Sequence, residues 1–310
     1  MQAKIDFAVG GQAVIEGVMM RSPHYYTVSV RDPQGKLKVK QAAFQSWTER
    51  YSFLNIPLLR GLVHLFESMR IGYGALNFSN AVFIGEDEEE ARGPVARVLW
   101  MIFTVFYTLF MLGVTLFLLK FLPLWVAEQA AEFWPVVKAN YLLFNSIDGL
   151  TKISVFLLYI SSIALLKDIR RVFQYHGAEH KSIWTYEKGL PLTVEHARKQ
   201  TRFHPRCGTS FIFIVILMSV FVYTLIPPVD GFWGMLGQRV AVIPLVAGVS
   251  YETLKLSARF QDKKWVQVFV APGLFLQRLT TREPDDEQLE VALHSLKASL
   301  EVEGHTVPVI

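Results

Sequence analysis

VLWMIFTVFYTLFMLGVTLFLL, Val98 to Leu119, is the stretch that decides the fold: 22 residues without a charge, bracketed by Arg97 and Lys120. At a helical rise of 1.5 Å per residue it spans the roughly 30 Å hydrocarbon core of a bilayer, so it reads as a transmembrane helix. Working outward, Thr209 to Ile226 is a second uncharged run of 18 residues, ended by Pro227 and Pro228, which cannot continue a helix. Two shorter runs complete the set. Ile153 to Leu166 gains length back to Tyr141 if Asp148 and Lys152, four residues apart, neutralise each other on one helix face. Val240 to Tyr251 reaches a full span through Glu252 and Lys255 if those groups are buried or interfacial. A re-entrant or interfacial segment is the alternative for either.

The composition agrees: 52% of the 310 residues are hydrophobic and 23 are phenylalanine. Lys and Arg number 11 before Val98, 3 from Lys120 to Lys152, 9 from Lys167 to Arg206, 1 at Arg239 and 7 from Lys255 onward. The positive-inside rule then places both termini and the 167–207 segment in the cytoplasm, as an even number of spans requires. The expected localisation is the inner membrane, in multi-pass form. No cleavable signal peptide is expected, because Met1 to Gly11 lacks a sustained apolar core. The one cysteine, Cys207, excludes an intrachain disulfide and suits a reducing compartment. A net charge of +4 reflects basic segments near anionic lipid and implies no nucleic acid.

The fold expected is therefore a mainly α membrane protein of about four transmembrane helices, with a small N-terminal β-hairpin region and cytoplasmic amphipathic helices. The boundaries read as an N-terminal cytoplasmic or interfacial region at 1–85, an acidic linker at 86–94, a first transmembrane pair at 95–166, a polar cytoplasmic loop at 167–207, a second pair at 208–256 and a cytoplasmic tail at 257–310. The hairpin is Tyr25 to Val30 and Lys36 to Ala43 around the turn Asp32-Pro33-Gln34-Gly35. Pro57 to Ala81 reads as a helix lying on the membrane or on the bundle, Trp265 to Leu279 as an interfacial or docking segment broken at Pro272-Gly273, and Pro284 to Glu303 as an amphipathic helix with Leu289, Leu293, Leu296 and Leu300 on one face. The run Glu86 to Glu90 is a solvated spacer rather than a metal site.

Chemistry concentrates in 167–207. Tyr175-His176-Gly177-Ala178-Glu179-His180-Lys181 has the H-x-x-E-H order of inverted zincins, in which two imidazoles on one helix face hold Zn²⁺ and the carboxylate works on its water. Gly177 weighs against a helix there. Downstream, His204-Pro205-Arg206-Cys207 gives an H-x2-C gap that lets neighbouring ligands reach one tetrahedral ion. The candidate metal ligands are thus His176, His180, His204 and Cys207, with zinc the expected metal and Glu179 the candidate general base. Four protein ligands make the site structural, whereas loss of His204 or Cys207 from the shell opens a position for water. Glu16, Glu195, His196 and Glu252 are candidate supporting residues around the ligands. The competing reading makes the histidines ordinary interfacial hydrogen bonders, with Lys181, Arg198, Lys199, Arg202 and Arg206 on lipid phosphates.

Gly10-Gly11-Gln12-Ala13-Val14-Ile15-Glu16-Gly17-Val18-Met19-Met20-Arg21, the His176 to Lys181 segment and His204-Pro205-Arg206-Cys207-Gly208-Thr209 together resemble the signatures of the YqhQ-type bacterial membrane proteins. That family is of unknown function. The resemblance covers nearly the whole chain and implies a metal-dependent enzyme. The expectation that follows is a metal-dependent hydrolase acting on a lipid-linked or membrane-protein substrate among membrane lipids. The alternative is a non-catalytic scaffold or membrane-protein biogenesis factor with a structural metal. Transport is disfavoured, because among the spans only Asp148, Lys152 and Glu252 offer charge to line a route.

Overall fold

The chain is seen here as a computed structural model that describes residues 9–84, 94–260 and 263–304. Apart from Pro94, the acidic linker expected at 86–94 lies outside the described residues.

Four short strands, β1 (Gly10–Val14), β2 (Gly17–Arg21), β3 (Tyr25–Arg31) and β4 (Leu37–Ala43), form an antiparallel meander. The expected hairpin is β3–β4, paired Tyr25 with Ala43 through Arg31 with Leu37. The first hairpin, β1–β2, was not foreseen. Its tight turn pairs Val14 with Gly17 and puts Glu16 in the left-handed region at φ 52°. Because side chains alternate across a strand, Val18 and Met20 face one side and Met19 the other, and both sides are buried. A strand covered on both faces reads as a continuous apolar run, so alternation gave no signal.

After a short α1 (Trp47–Arg50), the helix α2 (Leu59–Ile84) covers one sheet face, with Ile71, Ala75 and Val82 against Val14, Met19, Val28 and Val30. The expected helix is thus a sheet-packing element that also meets the apolar helices. Next come α3 (Pro94–Leu116), one π-helical turn at Phe117–Phe121, α4 (Leu122–Phe133), a short α5 (Pro135–Ala139) and α6 (Tyr141–Ile163). Then follow α7 (Lys167–Glu187), a short α8 (Val194–Arg198), α9 (Gly208–Leu225), α10 (Phe232–Ala241), α11 (Ile243–Arg259), α12 (Lys264–Thr280) and α13 (Asp286–Val302).

Three stretches are long and apolar enough to cross a membrane: Val98–Phe133, Tyr141–Ile163 and Gly208–Leu225. A fourth arises if α10 and α11, bent by 47° at their junction, make one span. The first departs from expectation by running through Lys120 instead of stopping there. The Lys120 ammonium needs no exit to water, because it donates to the Tyr223 hydroxyl at 2.8 Å. The π turn has a local cause: Pro123 has no N–H for the carbonyl of Leu119, and Leu122 N–H reaches back five residues to Phe117. Along α3 the large apolar side chains from Val98 to Leu112 stand exposed, the pattern of a helix meant for lipid on every face.

The segment 167–207, expected as a loop, is mostly the 21-residue α7, buried through its middle against the sheet and α13. The C-terminal helix, expected as amphipathic with Leu289, Leu293, Leu296 and Leu300 on one face, forms with that face buried and is a core element. Leu289, Val291, Leu293 and Leu296 fill the second face of the sheet beside Val18, Met20 and Tyr175. Ser295 and Ser299 are also fully buried, and Ser295 donates to the Thr27 carbonyl at 2.9 Å. A capping box between Asp285 and Gln288 starts the helix. The sheet thus lies between α2 and the α7–α13 pair, and α12, a continuous helix in spite of Pro272, packs along α9.

Candidate metal centre

The mid-helix glycine that weighed against helix at 177 is explained by close approach. A Cβ on Gly177 would lie 2.1 Å from the carbonyl oxygen of Arg282, so only glycine lets α7 pass the chain leaving α12. Phe173 accepts from Arg282 N–H at 2.8 Å at the same crossing. This places one face of α7 beside the C-terminal end of α12 and the N-terminal end of α9.

On that face His176, His180 and Cys207 come together, with one ligand atom from each lying within 4.8 Å of the others. The tautomers follow from the partners. His176 Nδ1 meets the Thr280 carbonyl at 2.8 Å and His180 Nδ1 meets the Arg202 carbonyl at 2.6 Å; a carbonyl only accepts, so each Nδ1 carries hydrogen. Each neutral ring therefore presents its lone pair at Nε2. His176 Nε2 lies 3.1 Å from Cys207 Sγ, and His180 Nε2 is buried with no hydrogen-bond partner among the described residues. Burial holds His180 below its ordinary pKa, which keeps the ring neutral and its lone pair free.

Cys207 caps the N-terminus of α9 with an extended backbone. Burial pushes its thiol up, but the His180 imidazole and the Thr209 hydroxyl, 3.2 Å from the sulfur, bring it below the ordinary thiol value. Glu179 is buried beside this group, and burial pushes its carboxyl up to about 8 against the opposing influence of His176. Gly11 makes room for it, since a Cβ there would lie 2.8 Å from Glu179 Cγ. The glycine-rich opening of the chain is thereby tied to the histidine helix.

His204 is not brought into the group. Its Nδ1 accepts from Arg206 N–H at 3.3 Å and its Nε2 faces Glu187 at 3.3 Å, so both ring nitrogens are occupied. Burial drops its pKa to about 4. Its contribution is the turn that carries Cys207, clamped by Gln277 of α12: His204 N–H donates to Gln277 Oε1 at 2.8 Å and Gln277 Nε2 donates to the His204 carbonyl at 2.7 Å.

The four supporting candidates all lie elsewhere. Glu16 takes both Arg171 nitrogens and the Tyr175 hydroxyl, the latter at 3.3 Å, which ties the β1–β2 turn to α7 one turn from the cluster. Glu195 is exposed and pairs with Lys199 at 2.7 Å. His196 faces the Thr193 hydroxyl at 2.8 Å. Glu252 receives Arg60 Nε at 2.7 Å and Nη2 at 2.5 Å. Two positions that do support the ligands, Gln277 and the Thr280 carbonyl, were missed. The one hint was Gln277, one of two glutamines in the mainly apolar stretch Trp265 to Leu279.

The donor set fits a borderline transition ion: two neutral imidazoles oriented through Nδ1–H to carbonyls, and one thiol inclined to ionise.

Residues 56–302 match the family described as a protein of unknown function, DUF1385. The chain is 37% identical over 306 residues to the uncharacterized protein YqhQ of Bacillus subtilis (strain 168), an alignment covering 97% of this chain and 95% of that one. No solved structure matches.

Proposed function

The chain belongs to the DUF1385 family, and from that premise we propose that it is a multi-pass inner-membrane protein that binds zinc through His176, His180 and Cys207. The observation that carries this is the pair of imidazoles whose Nδ1–H groups are spent on the Thr280 and Arg202 carbonyls while both Nε2 lone pairs face one thiol. A carbonyl accepting from the far ring N–H is how proteins orient histidine ligands, and an unpartnered buried nitrogen is costly unless a ligand takes it. The basic segments favour cytoplasmic termini and a cytoplasmic site.

The reaction we favour is hydrolysis of a lipid-linked or membrane-protein substrate. A bound zinc ion supplies Lewis-acid polarisation of a substrate carbonyl or phosphoryl oxygen. Glu179, held near neutrality by burial, is suited to accept and return a proton beside it. With His204 engaged by Glu187 and Arg206, three protein donors remain, the number typical of sites that keep one position open. The burial of His180 and Cys207 at the junction of α7, α9 and α12 favours a second reading, a structural ion in a scaffold or biogenesis factor.

Metal analysis and X-ray absorption on the purified full chain separate these. The expected result is about one zinc per chain bound by two nitrogens, one sulfur and one further light atom from water. His176→Ala and Cys207→Ser lose the metal and His204→Ala keeps it. A fourth protein ligand turns the reading to the scaffold, and a folded, metal-free protein that takes up no zinc overturns both.

A further inference from the structure

Around Tyr223, inside the apolar helices, three cations, Lys120, Lys152 and Arg239, share one nearby carboxylate, Asp148, among the described residues. Asp148 is fully buried on α6, with Arg239 Nη1 at 2.6 Å on one oxygen and Lys152 on the other. Arg239 also donates to the Asn145 side-chain carbonyl at 2.6 Å. All three cations gather on the Tyr223 ring, Arg239 at 4.8 Å, Lys152 at 5.1 Å and Lys120 at 5.4 Å from its centroid. Among the described residues Lys120 pairs with no carboxylate and donates to the Tyr223 hydroxyl, and the π turn that carries it is a form helices adopt at working sites. Counted formally, this cluster holds three cations to one carboxylate, where hydrocarbon disfavours unpaired charge.

Beside them lies a cavity of about 310 Å³ between α6, α9, α11 and the π turn. Lys120 and Lys152 supply its charge, and Phe156, Phe211, Val215 and Val246 are among its apolar walls. Its volume is at the small end of ligand sites, which run from roughly 300 to 1,000 Å³, and so suits one chain rather than two. We propose that this cavity binds a single-chain lipid phosphate monoester, the phosphate held by Lys120 and Lys152 and the hydrocarbon chain lying along the apolar walls. Charge selects the head group. A phosphate monoester carries close to two negative charges at neutral pH and matches the surplus, whereas a carboxylate or a phosphodiester brings one. Lysine ammoniums suit it as point charges. The site is separate from the metal centre and stands or falls independently of it.

Binding to the purified full chain in neutral detergent, read by native mass spectrometry and by the unfolding midpoint, tests this with hexadecyl phosphate against palmitate, hexadecanol, phosphatidylglycerol and inorganic phosphate. Hexadecyl phosphate should bind at least about tenfold more tightly than any of the others, a margin one good ionic contact supplies. Lys120→Met should lower that affinity about tenfold or more with zinc content unchanged, while Lys120→Arg retains it. Val215→Trp, which narrows the cavity and removes no charged group, should abolish chain binding and so serves if the lysine variant fails to fold. Equal binding of palmitate or hexadecanol, binding of inorganic phosphate alone, preference for phosphatidylglycerol, or full affinity in Val215→Trp would each overturn the proposal.

Discussion

The donors around α7 and the charges around α6 are both buried, yet they are assembled on opposite principles. At α6, Asp148 answers Lys152 and Arg239 directly, within the bundle. At α7, His176, His180 and Cys207 present lone pairs and sulfur to one another, groups that cannot satisfy each other without a shared proton or an ion. The lesson is that burial alone does not separate architecture from a binding site. The sign of what remains unanswered does: electron pairs at α7 suit a cation, and the Lys120 ammonium beside α6 suits an anion.

The comparison is broken most forcefully at its paired side. Asp148→Asn keeps the shape but strands two buried cations, and should destabilise the full chain by about 3–5 kcal/mol, seen as a large drop in the unfolding midpoint in detergent. A cost below about 1 kcal/mol would mean that the two cations find other partners. The α7 side is sharpened by pH. His204 has a folded-state pKa of about 4, below its ordinary 6.5, so the unfolded chain takes up its proton first on acidification. Its contribution is present above pH 6.5 and is lost as pH falls towards 4, by at most about 3 kcal/mol because the Glu187 carboxylate offsets part of it. His204→Gln should flatten that part of the stability profile relative to the parent chain. If the two profiles coincide, the ring is not held neutral. Gly177→Ala should cost about 1–3 kcal/mol, because the obstacle at 2.1 Å is backbone and cannot swing aside, and zinc uptake should weaken with it. The smallest effect tests whether burial, rather than pairing, sets the scale. Arg60 and Glu252 form a good two-pronged ion pair near solvent, and Glu252→Gln should leave the unfolding midpoint unchanged within error.

What could be read beforehand divides along the same line. Val98 to Leu119 and Thr209 to Ile226 needed only length and the absence of charge, both local properties. The partnership of Asp148 with Lys152 was legible because the two lie one helical turn apart, but Arg239 joins them from 91 residues away, a link no local pattern carries. Lys120 was read as the end of a span because its partner, Tyr223, comes 103 residues later. At the candidate site, His176, His180 and Cys207 are visible through spacing. His204 belonged to the same pattern, yet the Gln277 clamp and the Arg206 N–H turn its ring towards Glu187. Glu16, expected beside the ligands, instead takes Arg171, 155 residues later in the chain, a link that no local pattern carries.

The placement of α13 sets an order of events. Strands β2 and β3 emerge first from the ribosome, and α2 follows soon enough to cover one of their faces. The other face, with Val18 and Met20, waits for Leu289 to Leu300, some 270 residues later. At about 5–20 residues per second that interval is tens of seconds. The sheet is therefore a half-finished interior until α13 arrives, and its closure by α13 is the step at which the histidine helix α7, packed beside it on the same face, becomes fixed.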